Sequence, residues 1–133
     1  MDSETKLAQM AKEEEYTLFN KILDGKIPCS KVYEDDFTLA FWDIAPTAKT
    51  HIVVIPKDWD GLSSLFKAEE KHVELMGWLM LACSKVAKQE GLEEGYWVVV
   101  NTGPHAGQTV YHIDLHVIGG EQLGWPATGI PSK

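Results

Sequence analysis

Val110-Tyr111-His112-Ile113-Asp114-Leu115-His116-Val117-Ile118 alternates apolar and polar side chains from Tyr111 to Val117. A period of two predicts a half-buried β-strand over Val110 to Ile118, whose successive side chains point to opposite faces. Tyr111, Ile113, Leu115 and Val117 then enter the core, while His112, Asp114 and His116 line the other face. Side chains on one strand face repeat at roughly 6.5–7 Å. Polar strand faces are usually built from Thr, Lys, Glu and Ser. Two His flanking an Asp is an uncommon choice and points to chemistry rather than to solvation.

The flanking sequence strengthens this. Upstream lies Asn101-Thr102-Gly103-Pro104-His105-Ala106-Gly107-Gln108-Thr109. Glycines such as Gly107 let backbone N–H groups approach an anion closely, and Asn101, Gln108 and Thr109 offer neutral polar groups. The same composition also suits an ordinary polar hairpin loop. Asp43 ends the apolar run Phe41-Trp42 and is followed by Ile44. A carboxylate there suits a turn cap or the hydroxyls of a ribose. Phe19, Ile22, Ile27 and Phe41 suit a core, and together they could wall a flat apolar slot for a base.

The remaining segments fix the fold class. Residues 1–15 are polar and acidic and are expected to form a flexible arm or frayed helix ahead of a single domain over 16–133. Thr17 caps a short predicted helix that stops at Gly25. Lys31 to Glu34 and Thr38 to Ile44 read as a hairpin joined at Asp35-Asp36, and His51 to Ile55 as a strand buried on both faces. Val73, Met76, Leu79, Met80, Cys83, Val86 and Ala87 recur at helical spacing, so a helix is predicted from Ala68 to about Glu90, with Gly91 as its stop. Gly77 beside Trp78 suggests close packing against another element. Tyr96 to Val100 reads as a further strand, and Trp125-Pro126 as an irregular tail. The class is α+β, an antiparallel meander sheet packed by one long helix and a short N-terminal helix.

The 133 residues carry twelve cationic side chains, all Lys, against twenty acidic ones, a formal charge of −8. An acidic chain without Arg lacks the positive surface that a nucleic-acid polymer or an anionic membrane requires. A small phosphate would be held by backbone N–H, hydroxyl, amide, His or Lys groups. Apolar stretches are too short to span a bilayer, and the acidic start does not read as a secretion signal. Cys29 and Cys83 lack metal-ligand spacing and are expected as free thiols, which suits a reducing cytoplasm or nucleus.

From about Thr17 to Pro126 the chain resembles the histidine triad nucleotide-binding proteins, and most of all their purine nucleoside phosphoramidase branch. The matching strings are Phe19-Asn20-Lys21-Ile22, Ile27-Pro28, Phe41-Trp42-Asp43-Ile44-Ala45-Pro46, Thr50-His51, Ile55-Pro56-Lys57, Val100-Asn101-Thr102-Gly103, Gly107-Gln108-Thr109-Val110-Tyr111-His112, His116-Val117-Ile118-Gly119-Gly120 and Trp125-Pro126. The resemblance implies a homodimer with its sheet continued between subunits and no cofactor. It also implies hydrolysis of a purine nucleoside phosphoramidate to the monophosphate through a nucleotidyl-His intermediate. By position it gives His112 a phosphate contact, His116 the orientation of the nucleophile, and His51 a supporting role. Asn101, Gly107, Gln108 and Thr109 would hold phosphate oxygens or the leaving group, and Asp43 the ribose. Ile44 and the apolar slot would flank the base, and Trp125 would reach the partner's site.

The family pattern is His-φ-His-φ-His-φ-φ, and here Asp114 stands at the middle, nucleophilic position. A neutral imidazole attacks phosphorus and then leaves easily, whereas a carboxylate adds negative charge beside an anion. At ~4 Å and an effective dielectric near 20 the repulsion is about 4 kcal/mol, which slows a reaction about a thousandfold. The expectation is an inactive or weakly active enzyme. A non-catalytic nucleotide-binding or scaffold homodimer is the alternative, and a metalloenzyme using His112, Asp114 and His116 a distant one. Some relatives carry Cys-x-x-Cys where Thr17 and Asn20 stand, so no metal is expected.

Overall fold

A computed structural model describes residues 3–125. The start of the arm (Met1, Asp2) and Pro126 of the expected tail lie outside the described residues. The elements are α1 (Ser3–Met10), α2 (Leu18–Leu23), β1 (Lys31–Glu34), β2 (Thr38–Trp42), β3 (Thr50–Pro56), α3 (Val73–Gln89), β4 (Tyr96–Val99) and β5 (Leu115–Gly119). The strands form one antiparallel sheet in the order β1-β2-β3-β5-β4. The chain runs in sequence to β3, crosses one face through α3 to the far edge as β4, and returns as β5 between β3 and β4.

Strand alternation divides the core in two. Ala40, Ile52, Val54, Leu115 and Val117 face α3, whose Leu75, Leu79, Ala82, Cys83, Val86 and Ala87 lie three or four residues apart and complete that cluster. Leu39, Phe41, Val53 and Ile55 point to the other face and bury Phe19 of α2, with Ile22, Leu23 and Val110 packed around them. β3 is buried on both faces along nearly its whole length, as its continuous β-branched run predicts.

Both helix ends follow sequence rules. Thr17 and Asn20 form a reciprocal capping box at the start of α2. At the end of α3, Gly91 adopts φ 71° and the Leu92 N–H donates to the Ala87 carbonyl at 2.9 Å, a closure that only a left-handed residue permits cheaply. α3 starts at Val73 rather than Ala68, because 65–67 and 70–72 are separate 3₁₀ turns. Val73, Met80 and Leu81 leave an exposed apolar face on α3 at 64%, 53% and 54% exposure.

The principal correction concerns 110–118. Only Leu115–Gly119 is strand, so His112, Asp114 and His116 do not ride on one continuous strand face. Leu115 pairs with Val54, and continuing the ladder would soon bring β5 opposite Pro56, which has no N–H to donate. On the other side β4 has ended at Val99. Freed of both partners, the backbone turns inward, and the Ile113 N–H donates to the Leu62 carbonyl at 2.9 Å.

Candidate functional site

Register alone brings Asp43, His51 and His116 together. His51 lies opposite Ile118 in the β3–β5 ladder, so His116, two residues from Ile118, is its diagonal neighbour on the same face. Asp43 extends β2 by one residue, and its N–H donates to the His51 carbonyl at 3.0 Å. All three side chains therefore lie on the face away from α3, beyond the Phe19 and Phe41 cluster. Asp114 reaches the group from the irregular segment just ahead of β5.

A directed chain of hydrogen bonds runs through these groups. The Thr47 N–H donates to His51 Nδ1 at 3.1 Å, which makes that nitrogen an acceptor and leaves the ring proton on Nε2. His51 Nε2 lies 2.8 Å from His116 Nδ1 and donates to it. The His116 proton is then on Nε2, 3.2 Å from Asp114 Oδ1. Asp43 Oδ2 lies 3.4 Å from His51 Nε2, while Asp43 Oδ1 accepts from the Ala45 N–H at 2.8 Å. Burial disfavours charge on His116, but the Asp114 hydrogen bond and the charges of Asp114 and Asp43 outweigh it and raise its pKa. His51 moves the other way: burial lowers its pKa against the pull of Asp43. The chain as drawn is that of two neutral rings, and a proton added to His116 at Nδ1 would displace the bond from His51 Nε2.

His112 stands apart from this chain. It is fully buried, stacked on Trp59 with centroids 4.7 Å apart and planes at 7°, and met edge-on by Phe19 at 5.6 Å. Nδ1 lies 3.2 Å from Thr17 Oγ1, and Nε2 is buried without a hydrogen-bond partner among the described residues. Burial pushes its pKa down to about 4, against weaker opposing effects of the Pro56 carbonyl and the Asp114 charge. The ring, expected to contact phosphate, has no exposed surface in this structure. His112 is packed as a neutral ring behind Asp114.

The loop before β5 is held by its own polar groups. Asn101 Nδ2 donates to the Ala106 carbonyl at 2.7 Å. Gln108 is buried; its Oε1 accepts from the Gly103 N–H at 2.9 Å, and its Nε2 donates to the Ser63 and Val110 carbonyls at 2.8 and 3.2 Å. Gln108 is thus a brace for the loop, with its amide already engaged. Gly103 and Gly107 adopt φ 77° and 78°. A Cβ on Gly103 would meet the Phe66 ring at 2.8 Å. Thr109 and Gly107 are half-buried on the same loop. Phe19, Ile22 and Phe41 do come together, and Ile27 is half-buried after the α2 turn. Ile44 is fully exposed and Trp125 is 89% exposed, so neither is buried within the chain.

Two participants were not legible as site residues. Trp59 sits in the turn sequence Asp58-Trp59-Asp60-Gly61, which carries no periodicity. Thr47 acts through its backbone amide, which side-chain identity does not reveal. Among the described residues, the grouping with metal-ligand proximity is Asp43, His51 and His116, with donor atoms within 4.8 Å of one another. It replaces the expected His112, Asp114 and His116 set.

Comparison with known proteins agrees with this architecture. The "14 kDa zinc-binding protein" of Zea mays is 52% identical over 126 residues, covering 95% of this chain and 98% of that protein. "Adenylylsulfatase HINT1" of Arabidopsis thaliana is 52% identical over 110 residues, covering 83% and 75% respectively. A HIT family hydrolase from Legionella pneumophila Philadelphia 1 has a crystal structure with TM-score 0.78 and 43% identity, covering 82% of this chain and 96% of that one. Residues 24–123 match the model of the HIT domain, and the chain belongs to the HIT domain family.

Proposed function

We propose that this HIT protein binds purine nucleoside monophosphates and their phosphoramidates, and that its hydrolase activity is severely impaired by Asp114. The observation that carries the proposal is the 3.2 Å contact between Asp114 Oδ1 and His116 Nε2. It puts a carboxylate where the family pattern supplies the attacking imidazole, beside the ring that would orient it. The relative named an adenylylsulfatase supports an adenylyl group as the bound moiety.

The geometry gives each group a task. In this reading the base meets half-buried Ile22 and Ile27 at the rim of the buried Phe19 and Phe41 cluster, and the ribose meets Asp43 at the strand end. In this reading Thr109 and His116 meet the phosphate, since the N–H groups of Gly103, Ala106, Gly107 and Gln108 are already bonded within the loop. A carboxylate that already accepts the His116 Nε2 proton is stabilised and hence a poorer nucleophile, and its charge stands where a phosphate would meet that ring. Attack by Asp114 would give an acyl phosphate, releasing the amine after proton transfer from His116. Charge repulsion and the shorter side chain make that route slow.

Zinc binding, in the name of the Zea mays relative, does not transfer to these residues. Thr47 fixes the His51 proton on Nε2, so that nitrogen donates to His116 and has no lone pair for a metal. Thr17 and Asn20 offer a hydroxyl and an amide bonded to each other at 2.9 Å, whereas zinc takes thiolate, imidazole or carboxylate.

A homodimer accompanies the proposal. The outer edge of β4 has no strand partner among the described residues, and the exposed Val73, Met80 and Leu81 face of α3 is the kind of surface a second subunit covers. Free thiols at Cys29 and Cys83 suit the cytoplasm or nucleus. Calorimetry with adenosine and guanosine monophosphates tests the reading. Micromolar to millimolar binding of both is expected, and no binding of either would refute it.

A further inference from the structure

We infer that Asp114 acts as a general base for direct attack of water on phosphorus, so that the residual hydrolysis by this chain is a single displacement with no covalent intermediate. The inference rests on the nucleotide proposal and assigns the base of that same site.

Free lone pairs are scarce in the cluster of Asp43, His51, Asp114 and His116. His51 Nδ1 accepts from the Thr47 N–H, and its Nε2 carries the proton that goes to His116. His116 accepts at Nδ1 and carries its own proton on Nε2, facing Asp114. Neither neutral ring can take a proton from water or attack phosphorus without breaking this chain of bonds. His112 is fully buried. Asp43 Oδ1 accepts from the Ala45 N–H at 2.8 Å, and Oδ2 lies 3.4 Å from His51 Nε2. Asp114 Oδ1 is 3.2 Å from His116 Nε2, whereas Asp114 Oδ2 has no partner among the described residues and is not buried. With 14% of its side chain exposed, the carboxylate reaches solvent while His116 holds it in place. Among the described residues of the cluster, Asp114 Oδ2 is therefore the basic atom left unengaged and open to a water molecule.

Charge decides between the two roles open to that atom. As a nucleophile the carboxylate must close to bonding distance of an anionic phosphorus centre. As a base it stays behind an uncharged water, at roughly 6 Å instead of ~4 Å, and a repulsion that falls inversely with distance drops by about a third. In the step itself the water oxygen forms the new bond to phosphorus, and one of its protons passes to Asp114 Oδ2. The P–N bond breaks with its electron pair on nitrogen, which takes a proton from bulk water and departs as the amine. Asp114 then returns its proton to solvent.

The test uses the full chain, in excess over one diastereomer of an adenosine 5′-phosphoramidothioate, for a single turnover in ¹⁸O-labelled water. Inversion at phosphorus with the label on the product is the expected result. Retention would overturn the inference, because it requires two displacements. So would inversion with unlabelled oxygen, because that oxygen would come from the Asp114 carboxylate. Asp114→Asn keeps an oxygen acceptor for His116 and removes the base, and should slow the residual hydrolysis by about a hundredfold, within the range a positioned base supplies. An unchanged rate in a variant folded by circular dichroism would also overturn it. Calorimetry with adenosine monophosphate separates the two readings. Binding without hydrolysis above the uncatalysed rate would overturn the water route and leave the nucleotide proposal standing, whereas absence of binding would refute both.

Discussion

Asp114 and His116 are two residues apart in sequence and are joined by a contact of 3.2 Å between Oδ1 and Nε2, although Asp114 lies outside β5 and His116 within it. The break in the strand makes that contact. On one regular strand face the two side chains would stand roughly 6.5–7 Å apart at their roots; the turn inward at Asp114 lets the carboxylate fold back onto the ring. The pair is thus a carboxylate held against an imidazole within the site.

Removing the Asp114 charge should lower the His116 pKa. In the native protein NMR titration is expected to place His116 above the ordinary 6.5, and in Asp114→Asn below its native value. A raised folded pKa stabilises the protein fully below pH 6.5 and loses that contribution as the pH rises through the folded value. Asp114→Asn should therefore flatten the loss of stability on the alkaline side.

His112 acts with the opposite sign. Its pKa falls from 6.5 to about 4, so between those values the unfolded chain binds a proton that the folded chain refuses. Stability should fall on acidification across that window by about 3 kcal/mol. His112→Phe keeps an aromatic ring against Trp59 and should remove this share of the pH dependence in chemical denaturation measured from pH 7 to pH 4, leaving the part from His51.

Thr17 both caps α2 and contacts His112 Nδ1. Thr17→Ala should lower stability by about 2 kcal/mol, combining a lost cap with a buried polar atom left unpaired. Thermal melts check this, and Thr17→Ser should restore most of the loss.

If a second subunit covers the exposed α3 face, light scattering of the native protein will give twice the 14.9 kDa chain mass. Met80→Glu, at a residue 53% exposed in the single chain, should then yield monomer with an unchanged fold by circular dichroism.

Much of this organisation is written in local patterns. The two sheet faces, the buried β3 run, the Thr17 cap and the Gly91 stop follow from residue type and spacing. Gly91 in particular has the φ its position demands. The convergence of Asp43, His51 and His116 enters the sequence reading only through the family resemblance, because pairing register is a property of two strands and not of one. The end of the strand at Leu115 depends on Pro56, 59 residues earlier in the chain, and no periodicity within 110–118 reports that. Trp59 and the Thr47 amide were missed for the same reason: their contacts with His112 and His51 exist only once the turns are placed.

The assignment of Asp114 to the attacking position is tested by steady-state hydrolysis of an adenosine 5′-phosphoramidate by the native protein and by Asp114→His. Relief of about 4 kcal/mol of repulsion corresponds to a gain of about a thousandfold in kcat. A rise of that order is the expected result. Equal rates in the two proteins would contradict the assignment.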